Sequence, residues 1–260
     1  MDAAVVQRLN QLNTQFYQKV ASSFSATRQQ AWPGWTQSWD SVEQNLLTPL
    51  PSSLSVCDMG CGNARFAQFC VQQLKHRVHL DYLGIDQNPQ LLEYARQTLA
   101  TLSPSDTFEV RQLDVVAALQ GTQSLVSSIP LSFSLVVGFG ILHHIPSADL
   151  RKKFVLQLAE QVMSGGLLVL ACWQFHHNPA LMGRQLSPEQ AGFSSAELEP
   201  NDFFLTWERD AQAVRYAHLV TELEQRELVT DTGLQEIERF SADGKTGEEN
   251  TYIILQKAAR

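Results

Sequence analysis

Apolar residues in the first twenty positions fall on one helical face: Val5, Val6, Leu9, Leu12, Phe16 and Val20. Their three- and four-residue spacing predicts an amphipathic helix over residues 3–20. A loop with Thr27, Arg28 and the tryptophans Trp32, Trp35 and Trp39 follows. Asp40 to Leu47 reads as a short helix closed by Pro49 and Pro51. From Leu54 the period changes. Short apolar runs, read as strands, sit at Leu54 to Cys57, Asp81 to Asp86, Phe108 to Leu113, Ser134 to Gly140 and Leu167 to Cys172. Helical patterns at 64–75, 89–102, 115–120 and 147–163 alternate with them. That alternation implies an α/β fold, a parallel sheet with helices on both faces. After Cys172 the periodicity fades. Residues 174–202 hold Pro179, Pro188 and Pro200, Gly183 and Gly192, and a Ser/Glu-rich stretch. Loops of this length are usually functional, and this one reads as a lid over a substrate. A last helix, Glu222 to Thr232, stops at Gly233. Strands Leu234 to Phe240 and Asn250 to Gln256 flank a turn at Asp243-Gly244-Lys245. The chain thus divides into a helical cap, 1–50, and an α/β domain, 51–260.

Composition narrows the function classes. The 260 residues are 44% hydrophobic, enough for one large core, and lack the run of about eighteen apolar residues that spans a bilayer. An early acid, Asp2, and the lack of a signal-peptide apolar stretch lead us to expect a cytoplasmic protein without a membrane partner. The cysteines Cys57, Cys61, Cys70 and Cys172 have no paired C-x-x-C spacing and no matching histidine set, so no metal site is expected. His176-His177 lacks acids at ligand spacing and reads as loop. Net charge is −8, which argues against broad nonspecific nucleic-acid binding. The imbalance is uneven: the first 80 residues carry six basic and four acidic side chains, and the remainder is strongly acidic.

The densest chemistry lies at Cys57-Asp58-Met59-Gly60-Cys61-Gly62-Asn63, where a strand meets an acid, two glycines and then a helix. Glycine allows a sharp turn and close approach of a ligand to the backbone. A nicotinamide or flavin fingerprint would need a third glycine where Arg65 stands, and Asp58 would face a diphosphate unfavourably. Asp86 ends the second strand, where a carboxylate can bind both hydroxyls of a ribose. Asp114 follows the third strand. His143-His144 follow the fourth, at the carboxyl edge where doubly wound folds bind ligands.

This strand–turn–helix, with acids ending the next two strands and Gly165-Gly166 before the fifth, resembles the class I S-adenosylmethionine (SAM) methyltransferases. The resemblance implies a Rossmann-like, mostly parallel seven-stranded sheet with an antiparallel last strand, and SAM as cofactor with S-adenosylhomocysteine (SAH) as product. It implies cofactor contacts from Tyr17, Arg28, Asp58, Gly60, Gly62, Asp86, Gln87, Asp114, Val115 and Phe139, with Asp58 facing the cofactor ammonium and Asp114 the adenine amino group. Within that superfamily the chain resembles the eukaryotic tRNA wobble-uridine carboxymethyl O-methyltransferases, including the methyltransferase domain fused to an AlkB-like oxygenase. Phe16-Tyr17, Phe24-Ser25-Ala26-Thr27-Arg28 with Trp32-Pro33, Asp58 to Asn63, Ile141-Leu142-His143-His144, and Arg215-Tyr216-Ala217-His218-Leu219-Val220 with Glu222-Leu223 carry it. Ala64, Arg65 and Ala217 replace the family's usual Gly, Lys and Tyr. This resemblance implies a tRNA acceptor and a small zinc-containing activator subunit as partner. It places Trp32, Arg215, Tyr216 and His218 toward the substrate, and His143 and His144 as catalytic candidates. Two other readings stay open: a small-molecule O- or N-methyltransferase, and a catalytically silent scaffold of the same fold.

Overall fold

A computed structural model describes residues 1–121, 129, 132–207 and 212–259. Its central sheet has seven strands: β1 (Ser53–Met59), β2 (His79–Asp86), β3 (Thr107–Gln112), β4 (Phe133–Phe139), β5 (Val162–Trp173), β9 (Gln235–Ala242) and β10 (Asn250–Gln256). Their order is β3-β2-β1-β4-β5-β10-β9. Pairings among β1 to β5 are parallel, and β10 runs antiparallel to both β5 and β9. This is the doubly wound architecture expected.

Strand alternation builds a core on each face. Leu54 and Val56 of β1 point one way, against α2 (Pro33–Leu46), α3 (Arg65–Leu74) and α4 (Pro89–Leu99). Cys57 and Met59 point the other way, against α5 (Val115–Gln120), α6 (Ala148–Gln161) and α7 (Glu222–Thr230). The four cysteines are free and buried, as small apolar residues in a core are. No helix among the described residues is long and apolar enough to cross a membrane.

Two expectations need correction. Helix α2 begins at Pro33 rather than Asp40, because Pro at the first helical position is pre-set for the turn and loses no bond there. Trp35 and Trp39 are therefore helical core residues. The segment 174–202 is also more than a loop. Short helical turns lead through β6 (Gln185–Leu186) into β7 (Asp202–Trp207) and β8 (Ala213–His218), an antiparallel three-stranded sheet. The first helix, α1 (Ala3–Ala26), lies on that small sheet: Val5 and Leu9 pack with Phe193, Phe204 and Tyr216, and Phe16 and Val20 with Ala213.

Candidate active site

The turn after β1 holds the centre of the site. Gly60 (φ +85°) and Gly62 (φ +55°) occupy the left-handed region that glycine enters without strain. A Cβ on Gly60 would lie 3.1 Å from Ile141, whereas one on Gly62 would meet nothing within 4 Å. Gly62 therefore offers bare backbone to open space. The turn is pinned by backbone bonds: Gly60 and Cys61 both donate to the Ile85 carbonyl, at 2.8 and 3.0 Å. Gly62 donates to Asp86 Oδ2 at 3.0 Å, and Asn88 to Asp86 Oδ1 at 2.8 Å. Each Asp86 oxygen keeps acceptor capacity for a diol.

Ala64, in the family's glycine position, sits at φ +59° and is fully buried. Left-handed geometry costs an L-residue about 1–2 kcal/mol. Burial of one methyl group offsets about 0.8 kcal/mol of that. Ala64→Gly is expected to shift stability by less than about 1 kcal/mol, measured by urea denaturation, unlike other deletions in this core.

A cavity of about 1090 Å³, mouth included, opens between this turn, the ends of β2 and β4, and α1. Tyr17, Arg28, Asp58, Gly60, Gly62, Asp86, Gln87, Val115 and Phe139 all line it. Asp114 itself does not, although its neighbours Leu113 and Val115 do. Its Oδ1 caps α5 by accepting from Ala117 N at 3.0 Å, and its Oδ2 accepts from Asn10 Nδ2 at 2.8 Å. Asp58 is buried and accepts from the Tyr82 hydroxyl at 2.6 Å. Burial, with the Asp86 charge adding, pushes its carboxyl up to about 7; the Tyr82 bond and Arg65 oppose this. Such a group favours a cationic ligand that would let it ionise. Arg65 closes one side, its guanidinium 5.4 and 5.0 Å from the rings of Trp32 and Trp35 and bonded to the Gln30 carbonyl. Burial, with Arg28 adding, lowers Arg65 to about 10. Asn63 ties the N-terminal wall to the turn through Ser25 Oγ (3.0 Å) and the Arg28 carbonyl (3.2 Å).

A second chamber adjoins the first and shares Tyr17, Phe24, Arg28, Trp32 and Gly140 with it. His143, Trp173 and Arg215 complete this side. The Arg215 guanidinium lies 4.5 Å from the Trp173 ring and 5.3 Å from Phe16. Burial lowers its pKa and Arg28 lowers it further, while Tyr17 opposes. Of the acids here, Asp243 accepts from Gly34 N, Asn250 and Tyr252, and Glu249 accepts from Asn178.

The two histidines differ. His144 lines the cofactor-side cavity, with Nε2 2.8 Å from the Tyr17 hydroxyl and Nδ1 3.1 Å from the Tyr216 carbonyl. Burial and Arg215 push it down to about 3. His143 faces the second chamber, its ring packed at a tilt between His144 and Trp173, and burial lowers it well below the usual histidine range. Both imidazoles are neutral at physiological pH.

Tyr216 and His218 line neither chamber, against expectation, because successive β8 side chains alternate sides. The Tyr216 ring packs with Phe204, and its hydroxyl donates to Asp202 at 2.7 Å. His218 bridges Asp202 (2.7 Å) and Glu224 (2.9 Å). Burial opposes its protonation, but those two bonds outweigh it and raise its pKa. Glu199, Asp202 and His218 are close enough to suggest a metal site. Arg151 enters the same cluster, donating to Glu199 at 2.9 Å and Glu224 at 2.6 Å. With a guanidinium and a doubly bonded histidine inside, the group is an ion network that ties β8 to α6 and α7. Sequence reasoning missed Asn10 and Asn13, which line the cavity from α1. Two amides on an otherwise apolar helical face were the available signal.

Fold and cavity together define the class: the chain is a SAM-dependent methyltransferase of the class I, Rossmann-like fold, and SAM is its cofactor. The residues fit that group, since bare Gly62 backbone, a carboxylate-ended β2 and an acid favouring a cation meet in one cavity. The silent-scaffold reading is set aside. A family model described as a methyltransferase domain matches residues 57–168. An Encephalitozoon cuniculi protein carried under a provisional methyltransferase name is 26% identical over 243 residues, covering 93% of each chain. The mouse tRNA (carboxymethyluridine(34)-5-O)-methyltransferase ALKBH8 is 26% identical over 160 residues, 61% of this chain. This chain spans only about a fifth (19%) of that relative's length. Among solved structures, an S-adenosylmethionine-dependent methyltransferase from Clostridium acetobutylicum superposes with a TM-score of 0.62 at 11% identity, covering 94% of this chain and 99% of its own.

Proposed function

We propose that the chain methylates the carboxymethyl group of a modified wobble uridine in tRNA. The observation carrying this reading is the second chamber, where Arg28 and Arg215 stand together beside Trp173. Two like charges on the wall of one chamber favour an anion between them, and the indole offers a face to a base. Similarity to the mouse tRNA enzyme supports the same acceptor. When bound, the cofactor would supply an electrophilic methyl group, and its transfer to a carboxylate oxygen, with the carbon–sulfur electron pair left on sulfur, would release no proton. An ionised carboxylate needs no general base. Two histidines too weakly basic to take a proton at neutral pH agree with that chemistry, so we read His143 and His144 as packing and orienting groups.

Asp58 would then receive the cofactor ammonium and Asp86 its ribose hydroxyls, with Gln87 and Val115 flanking the base and Phe139 closing the Trp35 side of the cavity. Trp32, between the chambers, would separate cofactor from acceptor, and Arg215 of the small sheet reaches the acceptor side, whereas no residue of segment 174–202 lines either chamber. The acidic chain leaves room for an activator subunit to supply cationic surface for tRNA.

The test is transfer of labelled methyl from SAM to tRNA carrying carboxymethyluridine, to unmodified tRNA and to a metabolite extract, each with and without the activator subunit. Alkali-labile label in the carboxymethyl tRNA is expected. Label confined to small molecules, or stable to mild alkali, would overturn the reading. Arg215→Ala should raise the KM for the acceptor about 10- to 100-fold, the worth of a charged hydrogen bond, with cofactor Kd unchanged.

A further inference from the structure

We propose that the Tyr17 phenol oxygen aligns the transferring methyl group, and that His144 acts as a positioning residue by fixing the direction of the Tyr17 hydroxyl. Tyr17 belongs to the walls of both chambers, so it stands at the junction through which a methyl group must pass.

The hydrogen positions follow from the backbone of β8. The Tyr216 N–H turns away from the neighbouring strand and donates to Asn13 Oδ1 at 2.8 Å. Its carbonyl turns the same way, and a buried carbonyl needs a donor. His144 Nδ1, 3.1 Å away, is that donor. The Asn13 amide nitrogen, 3.2 Å from the same Nδ1, is the poorer partner. With Nδ1 protonated on a neutral ring, Nε2 is an acceptor, and the Tyr17 O–H donates to it at 2.8 Å. The phenol hydrogen is thereby committed to His144. The oxygen's remaining acceptor capacity is shared between Arg215, which lies against the phenol, and the junction. Edge contacts with Phe16 and Phe24, at ring separations of 5.0 and 5.3 Å, hold the ring in place.

A methyl on a sulfonium has polarised C–H bonds, and a fixed oxygen facing it makes weak C–H···O contacts that resist its rotation away from the line of attack. SAH lacks the methyl and the positive charge, so the contact discriminates between the two. The inference rests on the cofactor occupying the first cavity and is independent of the acceptor's identity.

The test is calorimetric titration of SAM and of SAH into the native protein and into Tyr17→Phe, His144→Phe and Asp86→Asn. Tyr17→Phe is expected to weaken SAM about two- to five-fold and leave SAH unchanged. His144→Phe, with the phenol present but its hydrogen free to turn inward, should narrow the preference for SAM in the same direction. Equal weakening of both ligands in Tyr17→Phe, as a packing role would give, overturns the proposal, and so does no change in either. Asp86→Asn serves as the check on the cavity. Loss of both ligands together supports the placement; unchanged binding of both would remove the ground for the proposal. No acceptor enters the assay, so failure of the tRNA reading cannot be mistaken for failure of this one.

Discussion

At pH 8, without cofactor, Asp58→Asn is expected to be more stable than the native protein and yet to have lost most of its affinity for SAM. The Asp58 carboxyl is 2% exposed, and burial raises its pKa from 3.8 to about 7 in the fold. A raised pKa favours the protonated folded form. The group's stabilising contribution is therefore complete below about pH 4 and is lost as pH climbs through 7. At pH 8 its ionised form costs the apoprotein on the order of 2–4 kcal/mol relative to a neutral isostere. Asparagine removes that charge and still accepts from Tyr82. It cannot, however, pair with an ammonium, which should weaken SAM about 10- to 100-fold. Ligand binding adds stability in proportion to the logarithm of ligand excess, so saturating SAM narrows or reverses the variant's lead. Melting curves at pH 5.5 and 8, with and without SAM, read all of this. Native-like SAM binding by the variant would remove Asp58 from the ammonium site.

Gly34→Ala is expected to be more damaging than its single carbon suggests. A Cβ at Gly34 would fall 2.1 Å from Tyr252 Cε2 and 2.3 Å from its Cζ. The ring cannot retreat. Its hydroxyl donates to Asp243 at 2.6 Å, and its face lies against Phe240, 5.1 Å away and tilted by 3°. The same Asp243 accepts from Gly34 N at 2.9 Å and anchors the start of α2. Over-packing ordinarily costs about 1–3 kcal/mol. With helix, ring and anchor fixed together, the upper end or beyond is expected in urea denaturation. The helix that shifts carries Trp35, so SAM affinity should fall too. A loss below 0.5 kcal/mol would show that this corner is softer than its bonds imply.

Much of the central sheet was legible because β1, β2 and β4 are short apolar runs ended by an acid or a glycine. Asp58, Asp86, Gly60 and Gly62 lie where that pattern put them. The small sheet was not legible, because Asp202, Arg215 and His218 occupy buried positions where alternation calls for apolar residues. Their cost is offset by partners over distances that no local window spans: Arg151 reaches Glu224, 73 residues on. Asp114 carries a second signal beside the one read from it. An acid before a helix is first a cap, and Asp114-Val115-Val116-Ala117 carries that signal. Arg65 at the third-glycine position was read only as a departure. Its role as a cavity wall depends on Trp32 and Trp35, which reach it from another element.

Helix α1 is made long before the strand it lies on: Asn13 finds its backbone partner 203 residues later, at Tyr216. Until then the part of its apolar stripe that packs on the small sheet, Leu9, Phe16 and Val20, stays uncovered, and nascent chains in that condition are prone to stray association. The roof of the cavity therefore cannot close before β8 is made, so an unfinished chain can pair β1 to β5 without gaining the ability to hold SAM.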